Sequence, residues 1–154
     1  MITQEYLKSK VEYDPVNGYF SSVRTGHVYL AKCPQGYILV KIDRKTYKAH
    51  RIAFLYMTGK IPDEIDHKNN IRDDNRWKNL REATRQQNVF NSSMHKDNAV
   101  GYKGVSYRKS RGHYKAIMKL NGKELYLGSF DNPEDAAKAY QEAALRYHGE
   151  FAKW

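Results

Sequence analysis

Asp66, His67, Asn79 and Asn88 have the side-chain types that hydrolysis of a phosphodiester requires. A divalent cation that neutralises the phosphate and stabilises the leaving 3′ oxygen takes hard oxygen ligands. The carboxylate of Asp66 and the amide oxygen of Asn88 can supply them, to one ion per site, with Mg²⁺ expected and Mn²⁺ as the alternative. Histidine titrates near neutrality, so His67 can take a proton from the attacking water. An oxygen behind its ring would fix the tautomer, and Asn79 is the candidate. Neighbouring residues on a strand point to opposite faces, so Asp66 and His67 can share a site only where the strand ends or bends. The polar Lys68-Asn69-Asn70 stretch begins there. Taken singly, each of these residues reads as a turn or loop residue.

The elements that must hold them follow from local pattern. Residues 1–49 read as strands and turns, with Asp14-Pro15-Val16-Asn17-Gly18-Tyr19 and Asp43-Arg44-Lys45-Thr46 as turns. Ile52, Leu55 and Tyr56 recur at helical spacing and Gly59 supplies a stop, giving a short helix over 50–59. Glu64-Ile65-Asp66-His67 and Leu80-Arg81-Glu82-Ala83 are short extended pieces around a polar loop. Thr84 with Gln87 forms a capping-box pattern that starts a helix carrying Asn88. Strand, strand and helix make a small unit in which the four residues can converge. Asp73 and Asp74 read as a solvated turn with a possible part in ordering the loop, and Trp77 as a core plug. His50 reads as structural beneath the first helix, with His50 and Arg51 as candidate phosphate contacts. His95, His113 and His148 show no ligand spacing and read as surface residues.

The polar stretch after Asn91 reads as a linker over 93–98, and residues 99–154 follow their own logic. Tyr102–Tyr107, His113–Leu120 and Glu124–Phe130 are strand candidates, and Asn121-Gly122 is a strong two-residue hairpin signal. Asn132-Pro133-Glu134-Asp135 opens a helix with a cap, a proline at the first position and acids in the first turn. Ala136, Ala139, Tyr140, Ala143, Ala144 and Tyr147 mark its apolar face, and Gly149 ends it. Along the middle strand, Tyr114, Ala116, Met118 and Leu120 share the face expected to pack on that helix. His113, Lys115, Ile117 and Lys119 share the other. Seven basic and no acidic residues between Ala99 and Lys123 leave that second face cationic, as expected of a sheet laid into a DNA groove.

The whole chain is basic: 27 Lys plus Arg against 17 Asp plus Glu give a formal charge of +10 over 154 residues. That surplus favours a polyanionic partner, because neutralising phosphates releases condensed counterions. The single cysteine, Cys33, excludes a disulfide framework and a Cys-based zinc cluster, so no structural zinc is expected. No apolar run of about 18 residues is present, so no membrane span is expected. The first residues lack the apolar stretch of a signal peptide. A cytoplasmic protein follows as the expectation.

Two resemblances sharpen these readings. His50-Arg51-Ile52-Ala53-Phe54, Ile65-Asp66-His67-Lys68-Asn69-Asn70, Asp74-Asn75-Arg76, Asn79-Leu80-Arg81 and Asn88 resemble the phage and intron-encoded HNH homing endonucleases. The resemblance covers roughly residues 37–92 and implies the ββα-metal fold. It implies His67 as the water-activating residue, Asp66 and Asn88 as metal ligands, and Asn79 as the brace for loop and histidine. It also implies a gene carried by phages or mobile elements, acting in an infected bacterial host. Gly101-Tyr102-Lys103-Gly104-Val105, Tyr126-Leu127-Gly128-Ser129-Phe130 and Glu134-Asp135-Ala136-Ala137-Lys138-Ala139-Tyr140 resemble the plant APETALA/ethylene-response-factor DNA-binding domain. That family reads the major groove with its sheet. The matching positions here are Lys103, Ser106, Arg108, Ile117, Lys119, Glu124 and Tyr126, to which the basic turn and strand add Lys109, Arg111 and Lys115. Ser106 stands where that family has an arginine, Ile117 where it has an acid, Tyr126 where it has a tryptophan and Glu124 where it has a base. A different target sequence is the expectation.

The reading is an α+β chain. A β-rich N-terminal segment leads into an HNH nuclease domain over 1–92 with its core at 50–91, and after the 93–98 linker a three-stranded antiparallel sheet packs on one helix over 99–154. The expected activity is metal-dependent, sequence-preferring cleavage of double-stranded DNA, by a monomer or weak dimer that nicks. The alternative is a non-catalytic DNA-binding regulator on the same scaffold.

Overall fold

The computed structural model describes residues 2–92, 94 and 97–154. The expected surface position of His95, and part of the expected 93–98 linker, lie outside the described residues. The chain divides into two units, residues 1–84 and 85–154.

The first unit opens with a helix where strands were expected. In α1 (Gln4–Lys10) the Thr3 hydroxyl caps the first turn by accepting from the Tyr6 N–H at 3.2 Å. This short helix buries only Leu7. One apolar residue leaves no period to read, which is why the sequence did not announce it. β1 (Val11–Asp14) and β2 (Tyr19–Ser22) form a hairpin that stacks Tyr13 on Phe20 at 4.6 Å. Its turn is held by the Asp14 carboxylate, which accepts from the backbone of Val16 and Asn17. Gly18 sits at φ +80°, and a Cβ there would lie 2.4 Å from the Arg76 nitrogen, so this turn lies directly on the backbone of the later polar loop. β3 (Leu39–Ile42) and β4 (Lys45–Lys48) make a second hairpin that runs into α2 (Ala49–Thr58), ended by left-handed Gly59. Leu7, Val11, Phe20, Val40, Ile52, Ala53 and Leu80 meet in one core. Burial of each large apolar side chain contributes about 1.5–3 kcal/mol, so packing and not intrinsic propensity holds such short elements. β5 (Glu64–His67) and β6 (Leu80–Ala83) pair antiparallel, with a 3₁₀ turn at Trp77–Asn79 leading into β6. Trp77 packs on Phe54 with ring centroids 4.8 Å apart, in keeping with a core plug.

The second unit contains α3 (Arg85–Asn91), the antiparallel sheet β7 (Val105–Arg108), β8 (His113–Leu120) and β9 (Lys123–Phe130), and α4 (Pro133–His148). The Asn121-Gly122 turn closes β8 onto β9 with both residues at positive φ, as the dipeptide required. β7 begins at Val105 and not at Tyr102, because Gly101 and Gly104 both take positive φ before it. α4 starts as its sequence dictates: Asn132 Oδ1 accepts from the Asp135 N–H at 2.8 Å, with Pro133 at the first position. Ala116 and Met118 face α4 and pack on Ala136, Ala137, Tyr140, Ala143 and Ala144. The face differs from expectation at its margins. Ala137 and His148 are buried, while Tyr147 is exposed. His148 is therefore not a surface residue: its ring stacks on Phe90 of α3, a contact between elements far apart in sequence. His113 is half-buried at the start of β8. The architecture is α+β, built from small antiparallel sheets and helices. No helix among the described residues is long and apolar enough to cross a membrane.

Candidate active site

β5 breaks the alternation of a strand at its end. Asp66 and His67 are adjacent, yet both are buried, each 6% exposed. The strand stops at His67, and the chain turns through Asn70 at φ +61°, whose N–H donates to the His67 carbonyl at 2.8 Å. The geometry thus meets the condition under which neighbours can serve one site.

Asp66 lies directly across from Arg81 in the β5–β6 register, and Arg81 Nε donates to Asp66 Oδ2 at 2.8 Å. The His67 ring is held on two sides. Its Nε2 lies 3.4 Å from Asn75 Oδ1, and the His50 ring meets it edge-on at 5.1 Å. Burial pushes the His67 ring below the usual histidine range, opposed by Asn75 and by the nearby Asp66 charge. His50, in the first turn of α2, is driven by burial down to about 3 and is neutral at any physiological pH. Its Nδ1 is buried without a hydrogen-bond partner. Arg51 Nη1 donates to the Asp63 carbonyl at 3.2 Å.

Asn79, at the end of the 3₁₀ turn, binds the loop and not the ring. Its Oδ1 accepts from the Asn69 N–H at 3.1 Å, and its Nδ2 donates to the Asp74 carbonyl at 2.7 Å. Asp74 completes the brace by accepting from Asn69 Nδ2 at 2.6 Å and from Arg76, whose guanidinium holds the carboxyl down to about 2. Asp73 pairs with Lys32 at 2.5 Å. Asn75 and Arg81 received no role from the sequence; both touch the candidate residues directly. Each stands within a motif that resembles the nucleases, and that proximity was the available signal.

Asn88 lies on α3, which groups with the second unit. Among the described residues no three His, Cys, Asp or Glu side chains cluster so as to hold an ion by themselves. One buried carboxylate suits a Mg²⁺-type ion, which keeps waters and draws further oxygens from its phosphate substrate. The donor chemistry at Asp66 fits that group.

In the second unit, Ser106, Lys115 and Ser129 stand in register across the three strands, with Ile117 beside Tyr126 and Lys119 beside Glu124. Ser106, Arg108, Lys109, Arg111 and Lys119 are exposed, Lys115 and Ile117 half-buried. Tyr126 is 57% exposed, with Lys115 Nζ 5.7 Å from its ring and its hydroxyl 2.8 Å from Ser129 Oγ. Lys103 differs from this group. It is half-buried before β7 and donates to the Phe90 and Ser92 carbonyls at 2.7 Å each, and burial lowers its ammonium to about 8.

Comparison with known proteins returns the same two parts. The family model for the HNH endonuclease matches residues 47–90, and that for the AP2 domain matches residues 100–150. An uncharacterized HNH endonuclease of Acanthamoeba polyphaga mimivirus is 37% identical over 116 residues, covering 73% of this chain and 59% of that protein. An APETALA2-like protein 2 of Oryza sativa subsp. indica is 38% identical over 48 residues, covering 31% of this chain and 11% of that protein. The chain thus spans about three-fifths of the viral relative and a small part of the plant one. A solved structure described as DNA binding and cleavage by the HNH homing endonuclease I-HmuI aligns with a TM-score of 0.45 at 18% identity, over 90% of this chain and 85% of that one.

Proposed function

With an HNH endonuclease domain joined to an AP2 domain in one chain, we propose that the protein is a metal-dependent, sequence-preferring endonuclease that nicks double-stranded DNA. The observation that carries this reading is the burial of Asp66 and His67 side by side at the end of β5, within the matched nuclease segment. His67 takes a proton from the water that attacks phosphorus. The bond to the 3′ oxygen breaks as the water oxygen bonds to phosphorus, and the departing oxygen takes a proton from solvent, leaving 5′-phosphate and 3′-hydroxyl ends. With Asn75 Oδ1 facing Nε2, the ring carries its proton there, and Nδ1 is the basic atom. Because burial disfavours the charged ring, His67 is neutral and ready to accept a proton at pH 7. Asn79 and Asp74 fix the loop that follows His67 and thereby its position. Asp66 and, from α3, Asn88 are the proposed ligands of one Mg²⁺, with Mn²⁺ as a substitute. When bound, that ion neutralises phosphate charge and stabilises the leaving oxygen.

The nuclease domain is proposed to extend through α3 to residue 92. The outward face of the β7–β9 sheet, from Ser106 and Arg108 through Lys115, Ile117 and Lys119 to Tyr126, is the proposed source of target choice. Lys109 and Arg111 in the adjoining turn would contact phosphates. One site cuts one strand, so a monomer nicks, and cutting both strands would need a weak dimer or two successive events. The viral relative is in keeping with a mobile-element gene acting in the cytoplasm of a host cell.

The ion pair of Asp66 with Arg81 favours a second reading, a DNA-binding regulator without catalysis, since the guanidinium already compensates the carboxylate. Incubation of the full chain with supercoiled plasmid, with Mg²⁺ or with EDTA, separates the two. The endonuclease reading expects metal-dependent nicking that His67→Ala abolishes while DNA affinity stays within about twofold. Binding without nicking, in Mn²⁺ and across a varied sequence pool, supports the regulator.

A further inference from the structure

Tyr37 gathers a group of side chains that the proposed mechanism leaves unused. Lys48 Nζ lies 4.5 Å from its ring centroid and Arg72 Cζ 5.4 Å. The same ring is 4.8 Å from His50 and 6.0 Å from His67. Both cations are exposed, but neither is loose. Arg72 Nη1 donates to the Gln35 carbonyl at 2.9 Å. Lys48 is the residue from which α2 springs, so its backbone is fixed by the junction with β4. Among the described residues neither cation forms an ion pair. The acids of this unit's polar loop and of the end of β5 are taken by others: Asp73 by Lys32, Asp74 by Arg76 and Asp66 by Arg81.

Two like charges gathered at one aromatic ring repel each other, and the attraction of each to the ring cancels no charge. The arrangement lacks an anion, and it lies beside His67. We propose that Lys48 and Arg72, spaced by Tyr37, grip a backbone phosphate of the DNA strand adjoining the bond to be cut, and so present that bond to His67. Arg72 offers a planar fork and Lys48 a point charge, a combination that suits a phosphate oxygen pair and carries no preference for base sequence. The placement beside the bond to be cut rests on the endonuclease reading, and the phosphate contact on the geometry alone.

The test measures affinity of the full chain for a short duplex in EDTA as KCl is varied. Each phosphate contact adds about 0.9 to the slope of log affinity against log salt. Lys48→Gln with Arg72→Gln should make the slope shallower by about 0.9, the share of the one phosphate that the pair neutralises, each single change by less, and Lys48→Arg with Arg72→Lys should retain it. An unchanged slope in the double variant overturns the grip. Loss of affinity at unchanged slope, or a slope lost equally in the charge-conserving pair, also overturns it, since both mark a structural role. Plasmid nicking in Mg²⁺ is scored on the same proteins. Wild type that never nicks removes the endonuclease reading while the slope still decides the grip. Wild type that nicks with an unchanged slope in the double variant removes the grip alone.

Discussion

Replacing Arg81 by methionine asks how the Asp66 carboxylate is held and what else can hold it. The two side chains are 11% and 7% exposed, and their contact is 2.8 Å. Removing one partner of a buried pair leaves the other charge uncompensated, at a cost of about 3–5 kcal/mol. The residual exposure places the expectation near the lower end, about 3 kcal/mol. The chain has two tryptophans, Trp77 in the first unit and Trp154 in the second. In a Trp154→Phe background, Trp77 fluorescence during urea unfolding therefore reports the first unit. With a slope of about 1–3 kcal/mol per molar urea, the midpoint should fall by about 1–3 M in EDTA. Saturating Mg²⁺ should narrow the gap, because an ion on Asp66 replaces the missing positive charge and binds the variant more tightly. Each tenfold gain in relative affinity recovers about 1.4 kcal/mol. No loss in EDTA would refute the weight given to the ion pair. A loss of the same size in Mg²⁺ and in EDTA would refute Asp66 as a ligand of the ion.

Asn79→Ala removes both side-chain bonds that brace the loop, and should lower first-unit stability by about 1–3 kcal/mol in the same urea experiment while cutting nicking sharply. Asn79→Asp, which keeps the acceptor for the Asn69 N–H, should fall between; equal stability of all three proteins argues against the brace. Gly104→Ala adds a Cβ at φ +74°, 2.2 Å from the Tyr140 ring and 2.6 Å from the Ile117 carbonyl. It should lower second-unit stability by about 2–3 kcal/mol, read from Trp154 in a Trp77→Phe background, and a change under about 0.5 kcal/mol contradicts that packing. For pH, the unfolded chain protonates His50 near 6.5, whereas the folded unit resists until about 3. The unfolded state thus holds more protons across that window, and first-unit stability should drop as pH falls from 6.5, with at most about 1.4 kcal/mol per pH unit coming from His50 and a further share from His67, whose ring burial also holds below its usual range. His50→Phe should flatten that dependence, and a slope that the substitution leaves untouched removes His50 as its source.

What the sequence determined by itself was local. The hairpin at Asn121-Gly122, the start of α4 at Asn132-Pro133, the helix after Thr84 and the stop at Gly59 are each set by residues a few positions apart, whose backbone preferences and caps act whatever the rest of the chain does. The alternation along β8 likewise assigned Ala116 and Met118 to the helix and Lys119 to solvent before any partner was known. Asp66-His67 was readable because its side-chain chemistry and its place before a polar loop lie in one short stretch.

The surroundings of those residues were decided only by tertiary structure. Asn75 and not Asn79 faces the His67 ring, Arg81 meets Asp66 across the sheet register, and Tyr37 brings Lys48 and Arg72 beside His67. His148 finds Phe90, and Gly18 must be glycine because the distant Asn75–Arg76 backbone lies against it. Such contacts join residues far apart in the chain, where neither periodicity nor capping links one partner to the other. They are fixed only when the burial of Leu7, Val40, Ile52 and the other core side chains brings the elements together.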